Sequence, residues 1–254
     1  MSAAEEEPLD EVEQYRMPLL DHLRELRNRL LMAVAAMVVG FCVSLAFVND
    51  ILAFIRAPVE DALAANNIEG GLSINNSPFE GMTVWMHAAF IGAIVLSSPV
   101  VAYQVWAFIA PGLYQTERKL VVPLAVSSTG LFFAGAAFAY YVIFPYAFPF
   151  FFTVIDVQIS LSIEGYLSAV LKMLIAFGVS FQLPIATFFL ARLGFIDHRD
   201  MTSTFRYAIV GIFVVAAIIT PPDVLTQTLL AIPLIILYVL SIAVAWMFTT
   251  KVRT

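Results

Sequence analysis

The chain has 254 residues, of which 61% are hydrophobic and only 13% charged, and its mean hydropathy is +0.90. Soluble domains carry about 25% charged residues, so this composition excludes an ordinary globular domain and points to a polytopic membrane protein. A single cysteine, Cys42, excludes an internal disulfide and a cysteine-cluster metal site, and three widely separated histidines (His22, His87, His198) show no ligand spacing.

The net charge of −6 is unevenly spread. Glu5, Glu6, Glu7, Asp10, Glu11 and Glu13 crowd the start of the chain, and residues 1–18 read as an acidic tail with too little to bury to fold. No small-x-small cleavage site follows, so a cleaved leader is not expected. Residues 19–254 read as one all-α transmembrane domain, because a span needs about 20 mainly apolar residues to cross about 30 Å of hydrocarbon. Six segments fit: about 29–48, 83–109, 120–145, 165–190, 205–219 and 225–249.

Between the first two lies the longest connection, Asp50 to Glu80, read as a loop because "IEGGLSINNSPFEG" is rich in turn formers. The fourth segment is interrupted by Lys172, expected either to serve function or to snorkel to the outer headgroups. The fifth is short: Tyr207 to Thr220, before the Pro221-Pro222-Asp223 turn, makes roughly 21 Å of helix. It reads as one arm of a short hairpin that locally thins the bilayer. Pro99, Pro123, Pro145, Pro149, Pro184 and Pro233 punctuate the spans and predict kinks whose freed carbonyls need other donors. Trp85, Trp106 and Trp246 fall near span ends and suggest an aromatic belt. No internal repeat is visible.

Charge sets the orientation. With six spans and a cytoplasmic N-terminus, the inner segments hold Arg16, Arg24, Arg27, Arg29, Arg118, Lys119, Arg192, Arg199, Arg206, Lys251 and Arg253; only Arg56 and Lys172 of the 13 basic residues fall elsewhere. The outer segments hold Asp50, Glu60, Asp61, Glu69, Glu80, Asp156, Glu164 and Asp223. The opposite orientation violates the positive-inside rule, and an odd span count strands Lys251 and Arg253 outside.

The stretch "LLDHLRELRNRLL" carries the densest charge in the chain, immediately before an uncharged run. On a helix, Leu19, Leu23, Leu26 and Leu30 fall within about 60° of one another. Arg24 and Arg27 lie on one flank; Asp21, His22, Glu25 and Arg29 lie on the other. This is an amphipathic helix suited to an anionic inner leaflet, except for Glu25. Glu25 has two readings: an i,i+4 pair with Arg29, or a carboxylate aimed at an incoming guanidinium. Glu117, in "PGLYQTERK", is a second acid at the same boundary.

At these residues the sequence closely resembles the TatC family of the twin-arginine protein translocase. The motifs that carry the likeness are "HLRELRNRL", "SPVVAYQVWAFIAPGLYQTERK", "VSFQLPIA" and "TPPDVLTQTLLAIPL", spread from residue 22 to residue 235. The resemblance implies six helices in a concave bundle, both termini cytoplasmic, the last two spans short, in a bacterial plasma (inner) membrane. It implies a receptor for folded cargo whose signal peptides carry Arg-Arg, working with single-span TatA- and TatB-like subunits, itself in several copies, and driven by the proton-motive force. Signal-peptide binding falls on the positions of Leu23, Glu25, Arg27, Phe108 and Glu117, and partner-subunit contact on Gln182, Asp223 and Gln227. No cofactor, metal, catalytic residue or nucleic acid is implied. Two departures stand out: Gln182 where the family often has glutamate, and Val84 and Trp85 where it often has lysine.

The residues leave alternatives at the polar positions. Gln182 suits either a partner's transmembrane helix or an internal helix–helix bond. Asp223 suits either partner contact or a cap on the sixth helix, and Gln227 faces the same choice. A secondary transporter or channel for a small molecule or ion is the competing class, but it calls for midplane acids and repeats that the spans do not display. An intramembrane enzyme needs a nucleophile with its base, or a carboxylate pair, and neither is evident.

Overall fold

A computed structural model describes residues 19–65, 72–73, 79–109, 118–147, 161–219 and 224–248. Its helices are α1 (Leu19–Ala46), α2 (Val48–Ala65), α3 (Glu80–Ile109), α4 (Val121–Phe138), α5 (Ile163–Ser180), α6 (Leu183–Arg192), α7 (His198–Ile219) and α8 (Val224–Phe248). A 3₁₀ turn, Arg118–Leu120, leads into α4, which continues through a π-helical turn, Ala139–Ile143, to Ala147. The strands β1 (Leu72–Ser73) and β2 (Leu161–Ser162) pair in parallel and tie two loops together at one end of the bundle. Six helical segments are long and apolar enough to cross a membrane: Asp21–Ala46, Glu80–Ile109, Val121–Ala147, Ile163–Arg192, His198–Ile219 and Gln227–Phe248. The fold is thus an all-α membrane protein of six spans.

Helix α1 leans on α3 through small residues. A Cβ on Gly40 would lie 3.1 Å from the Ala93 carbonyl oxygen, and Ala88, Ala89 and Ala93 are fully buried. Close backbone approach of this kind packs helices where lipid supplies no hydrophobic drive. The α4–α5 crossing is tighter, because a Cβ on Gly135 would sit 2.6 Å from the Phe177 carbonyl oxygen.

Helix α2 replaces much of the expected loop. Val48, Leu52, Ile55, Val59 and Leu63 recur at helical spacing, and all are buried against α3, the π turn and α5. Pro58 sits inside this helix and cannot donate to the Phe54 carbonyl one turn back. Tyr140 Oη donates to that carbonyl at 2.6 Å and stacks its ring on Phe54, while Tyr166 Oη donates to the neighbouring Ile55 carbonyl at 2.5 Å. Pro99 in α3 is served the same way: Ser98 Oγ donates to the Val95 carbonyl at 2.9 Å.

The expected fourth span is a broken helix. The Gln182 backbone N–H donates to the Val179 carbonyl instead of Gly178, and Pro184 opens α6. The fifth span, α7, starts at His198, not near 205, because Asp200 reaches back to accept from the Asp197 N–H at 3.0 Å, the reciprocal bond of a capping box. With 22 residues it is about 33 Å long, so only its uncharged part is short. Two further expectations change. Trp106 lies inside the bundle, donating to Ser128 Oγ at 2.7 Å and meeting Phe189 edge-on, whereas Trp85 and Trp246 are exposed. Glu80 is no loop acid but is 3% exposed, accepting from Ser162 Oγ at 2.8 Å. Lys172 is exposed.

Candidate functional site

The first turns of α1 and the last turns of α3 lie side by side, at the end of the bundle opposite α2. The ends of α4, α6 and α7 bring Lys119, Arg192 and Arg199 to the same end. Here α1 turns the flank carrying His22, Glu25 and Arg29 toward α3, and leaves Arg24 and Arg27 exposed.

Two rungs join the helices. In the first, the His22 ring stacks on Phe108 with centroids 4.6 Å apart and planes 21° from parallel. In the second, Arg29 Nη1 donates to Gln104 Oε1 at 3.2 Å. Between them stands Glu25, whose Oε1 accepts from Arg29 Nη2 at 3.2 Å. The internal pair named as one reading of Glu25 is therefore formed. It is more sheltered than a surface pair, with 27% of the Arg29 side chain and 19% of the Glu25 side chain exposed. Asp21 and Arg24, by contrast, pair at 3.3 Å in open surroundings and contribute little.

The second oxygen of Glu25 decides what the site can do. Oε2 is buried and has no hydrogen-bond partner among the described residues. A buried carboxylate oxygen left unpaired is costly, so a donor brought from outside gains more here than at the surface. Leu23 is 58% exposed and, two residues from Glu25 on the same helix, faces the other way. Arg27 is exposed and donates to Asn28 Oδ1 at 3.5 Å. Glu117 lies outside the described residues, as does Asp223.

Gln104 was missed in the sequence. It is 8% exposed, fixes Arg29 with its oxygen and turns its nitrogen to Met32 Sδ at 3.6 Å. The available signal was an amide in an otherwise apolar helix, four residues before Phe108.

The other polar candidates look inward. Gln182 Nε2 donates to the Ser128 carbonyl at 3.1 Å and to the Gly178 carbonyl, vacated by the helix break, at 3.2 Å. Its side-chain oxygen takes no hydrogen bond among the described residues. Gln227 Nε2 donates to the Phe213 carbonyl at 2.8 Å and so joins α8 to α7. Gln182 also lines an apolar recess of about 410 Å³ between α1, α3, α4 and the broken helix, with Met37, Ser97, Phe132 and Val179 among its walls. No group of three or more metal-ligating side chains occurs among the described residues.

Six spans, a helix-packed recess and a charged helix end define a multi-pass membrane protein with a cluster of charge at one end. Residues 21–233 match the family described as Sec-independent protein translocase protein (TatC). The chain is 42% identical over 231 residues to the Sec-independent protein translocase protein TatC of Helicobacter pylori, covering 90% of this chain and 89% of that one. It is 42% identical over 238 residues to the protein of the same description from Escherichia coli, covering 93% and 91%. Among solved structures, a crystal structure of the twin arginine translocase receptor TatC aligns with a TM-score of 0.81 and 36% identity, covering 90% of this chain and all of that one. The chain belongs to the TatC family and is a component of the Sec-independent protein translocase.

Proposed function

We propose that this chain is the receptor subunit of its translocase, binding Arg-Arg signal peptides of folded proteins at the end of the bundle that carries Glu25. The observation that carries this reading is the buried Oε2 of Glu25, an acceptor with no donor among the described residues, one helical turn from the half-buried His22–Phe108 ring pair. Phe108 approaches this position from α3, Leu23 and Arg27 offer exposed contacts on the other side of the same helix end, and Glu117 supplies a second carboxylate for the second arginine. The gathering of Arg24, Arg27, Arg29, Lys119, Arg192 and Arg199 at this end supports a cytoplasmic orientation, with both termini inside a bacterial plasma membrane. Single-span TatA- and TatB-like subunits, and further copies of this chain, dock along the lipid-facing helices. Gln182, Asp223 and Gln227 are the positions proposed for partner contact, Gln182 through its uncommitted side-chain oxygen beside the apolar recess.

A photo-crosslinker at Leu23 tests the receptor reading. An Arg-Arg signal peptide is expected to give adducts that a Lys-Lys version gives far less, and Glu25→Ala is expected to remove them while the protein still inserts in the membrane. Equal labelling by both peptides speaks against recognition at this site.

A further inference from the structure

Helix α7 carries an arginine at the edge of its apolar run. From Tyr207 to its end at Ile219 the helix spans roughly 20 Å, against about 30 Å of hydrocarbon. Pro221 and Pro222 follow at once, so the run cannot lengthen at that end. Arg206 therefore stands at a depth where a lone guanidinium is costly, unless the bilayer thins and brings a counter-charge to it. Only Ala216 of this helix is buried, and both Arg206 and Tyr207 are exposed.

The Arg206 head is held but not neutralised. Nη2 donates to Tyr207 Oη at 3.1 Å, and the guanidinium carbon lies 4.8 Å from the centre of the Tyr207 ring. Among the described residues no carboxylate pairs with it, whereas Arg24 has Asp21 and Arg29 has Glu25. The acids at this helix end are engaged in its cap: Asp200 accepts from the Asp197 N–H, and Asp197 pairs with His198. Tyr207 Oη accepts from Arg206 and keeps its own hydrogen to donate. Guanidinium N–H groups and a phenolic O–H thus stand side by side at the membrane boundary. Such a donor set matches the oxygens of a phosphate.

The helix says which phosphate. Toward the membrane, the exposed Val210 and Val214 continue the Arg206 face and suit an acyl chain. Toward the other side, Arg199 is exposed, about 20° round the helix from Arg206 and about 10 Å along it. A second cation there repels a headgroup ammonium and tolerates a glycerol. We propose that Arg206 and Tyr207 form a binding site for an anionic phospholipid, its phosphate diester held between them and Arg199 selecting against an amine headgroup. On the orientation proposed above the lipid belongs to the inner leaflet; the site itself does not depend on signal-peptide binding.

The test uses the full chain in detergent micelles with phosphatidylglycerol or phosphatidylethanolamine added in equal amounts, and native mass spectrometry to measure the lipid retained. The wild type is expected to retain more phosphatidylglycerol. Arg206→Gln is expected to weaken its retention roughly fivefold, and Tyr207→Phe, which keeps the ring and loses the O–H, about threefold. Arg199→Gln is expected to raise retention of phosphatidylethanolamine. Arg24→Gln removes an exposed base already paired with Asp21 and is expected to change neither lipid. Should Arg206→Gln unfold in lipid-free micelles, Tyr207→Phe and Arg199→Gln decide the matter. The proposal is overturned if the wild type retains both lipids alike, if Tyr207→Phe and Arg199→Gln leave retention unchanged, or if Arg24→Gln lowers it as much as Arg206→Gln. It also falls if soluble glycerol phosphate raises the Tm of the wild type as much as phosphatidylglycerol does, because the site then takes a free anion.

Discussion

Both N–H bonds of the Gln182 amide are committed within the chain, to carbonyls of Ser128 and Gly178. That double donation is something an ionised carboxylate cannot do. Gln182→Glu at neutral pH therefore sets acceptor against acceptor and is expected to destabilise the protein by about 1–3 kcal/mol. Protonation returns one donor, so the deficit present at high pH should shrink as pH falls; thermal unfolding in detergent from pH 8 to pH 5 reads the trend, and a pH-independent deficit refutes it. Glu25 was legible in the sequence as an acid on a basic helix, with its possible partner Arg29 four residues on. Gln104 was not, because its contact with Arg29 spans 75 positions and no local pattern encodes it. The same limit explains Trp106, which looked like a belt residue until its partner Ser128 was seen across α4.

Proline removes a donor inside helices of this molecule, and at Pro58 and Pro99 a nearby hydroxyl fills the gap. Length and hydropathy made the six long elements readable, since a span is a run that only lipid suits. Helix α2 was equally readable from the stripe Val48, Leu52, Ile55, Val59, Leu63, but its charged and proline-bearing outer face disguised it as loop. The early start of α7 was encoded in Asp197 and Asp200, a capping pattern outweighed by the charges around it. Gly135 illustrates what periodicity does not show. Its α4–α5 contact meets backbone, which cannot step aside as a flexible side chain can. Gly135→Val is expected to cost about 3 kcal/mol or more, or to abolish accumulation, as measured by unfolding in mixed micelles. Gly130, with open space around it, is the control, and Gly130→Ala should be near neutral.

At the scale of the whole molecule, charge and fold divide the protein into two unlike ends. One gathers bases around His22, Glu25 and Phe108; the other is closed by α2, β1 and β2. Single cysteines in a Cys42→Ala background test the orientation proposed for them. Ser203→Cys should react with an impermeant maleimide only from the cytoplasmic side, and Ala64→Cys only from outside; the reverse pattern overturns the topology. The two tyrosines that reach α2 have a consequence for motion. Tyr140 comes from the π turn after α4 and Tyr166 from α5, yet both grip adjacent carbonyls of one short helix. Any rocking of one of these spans against the other has to leave a carbonyl bare before it can open the closed end. That end is therefore the fulcrum, and whatever the bundle yields it yields at the opposite tips of its levers.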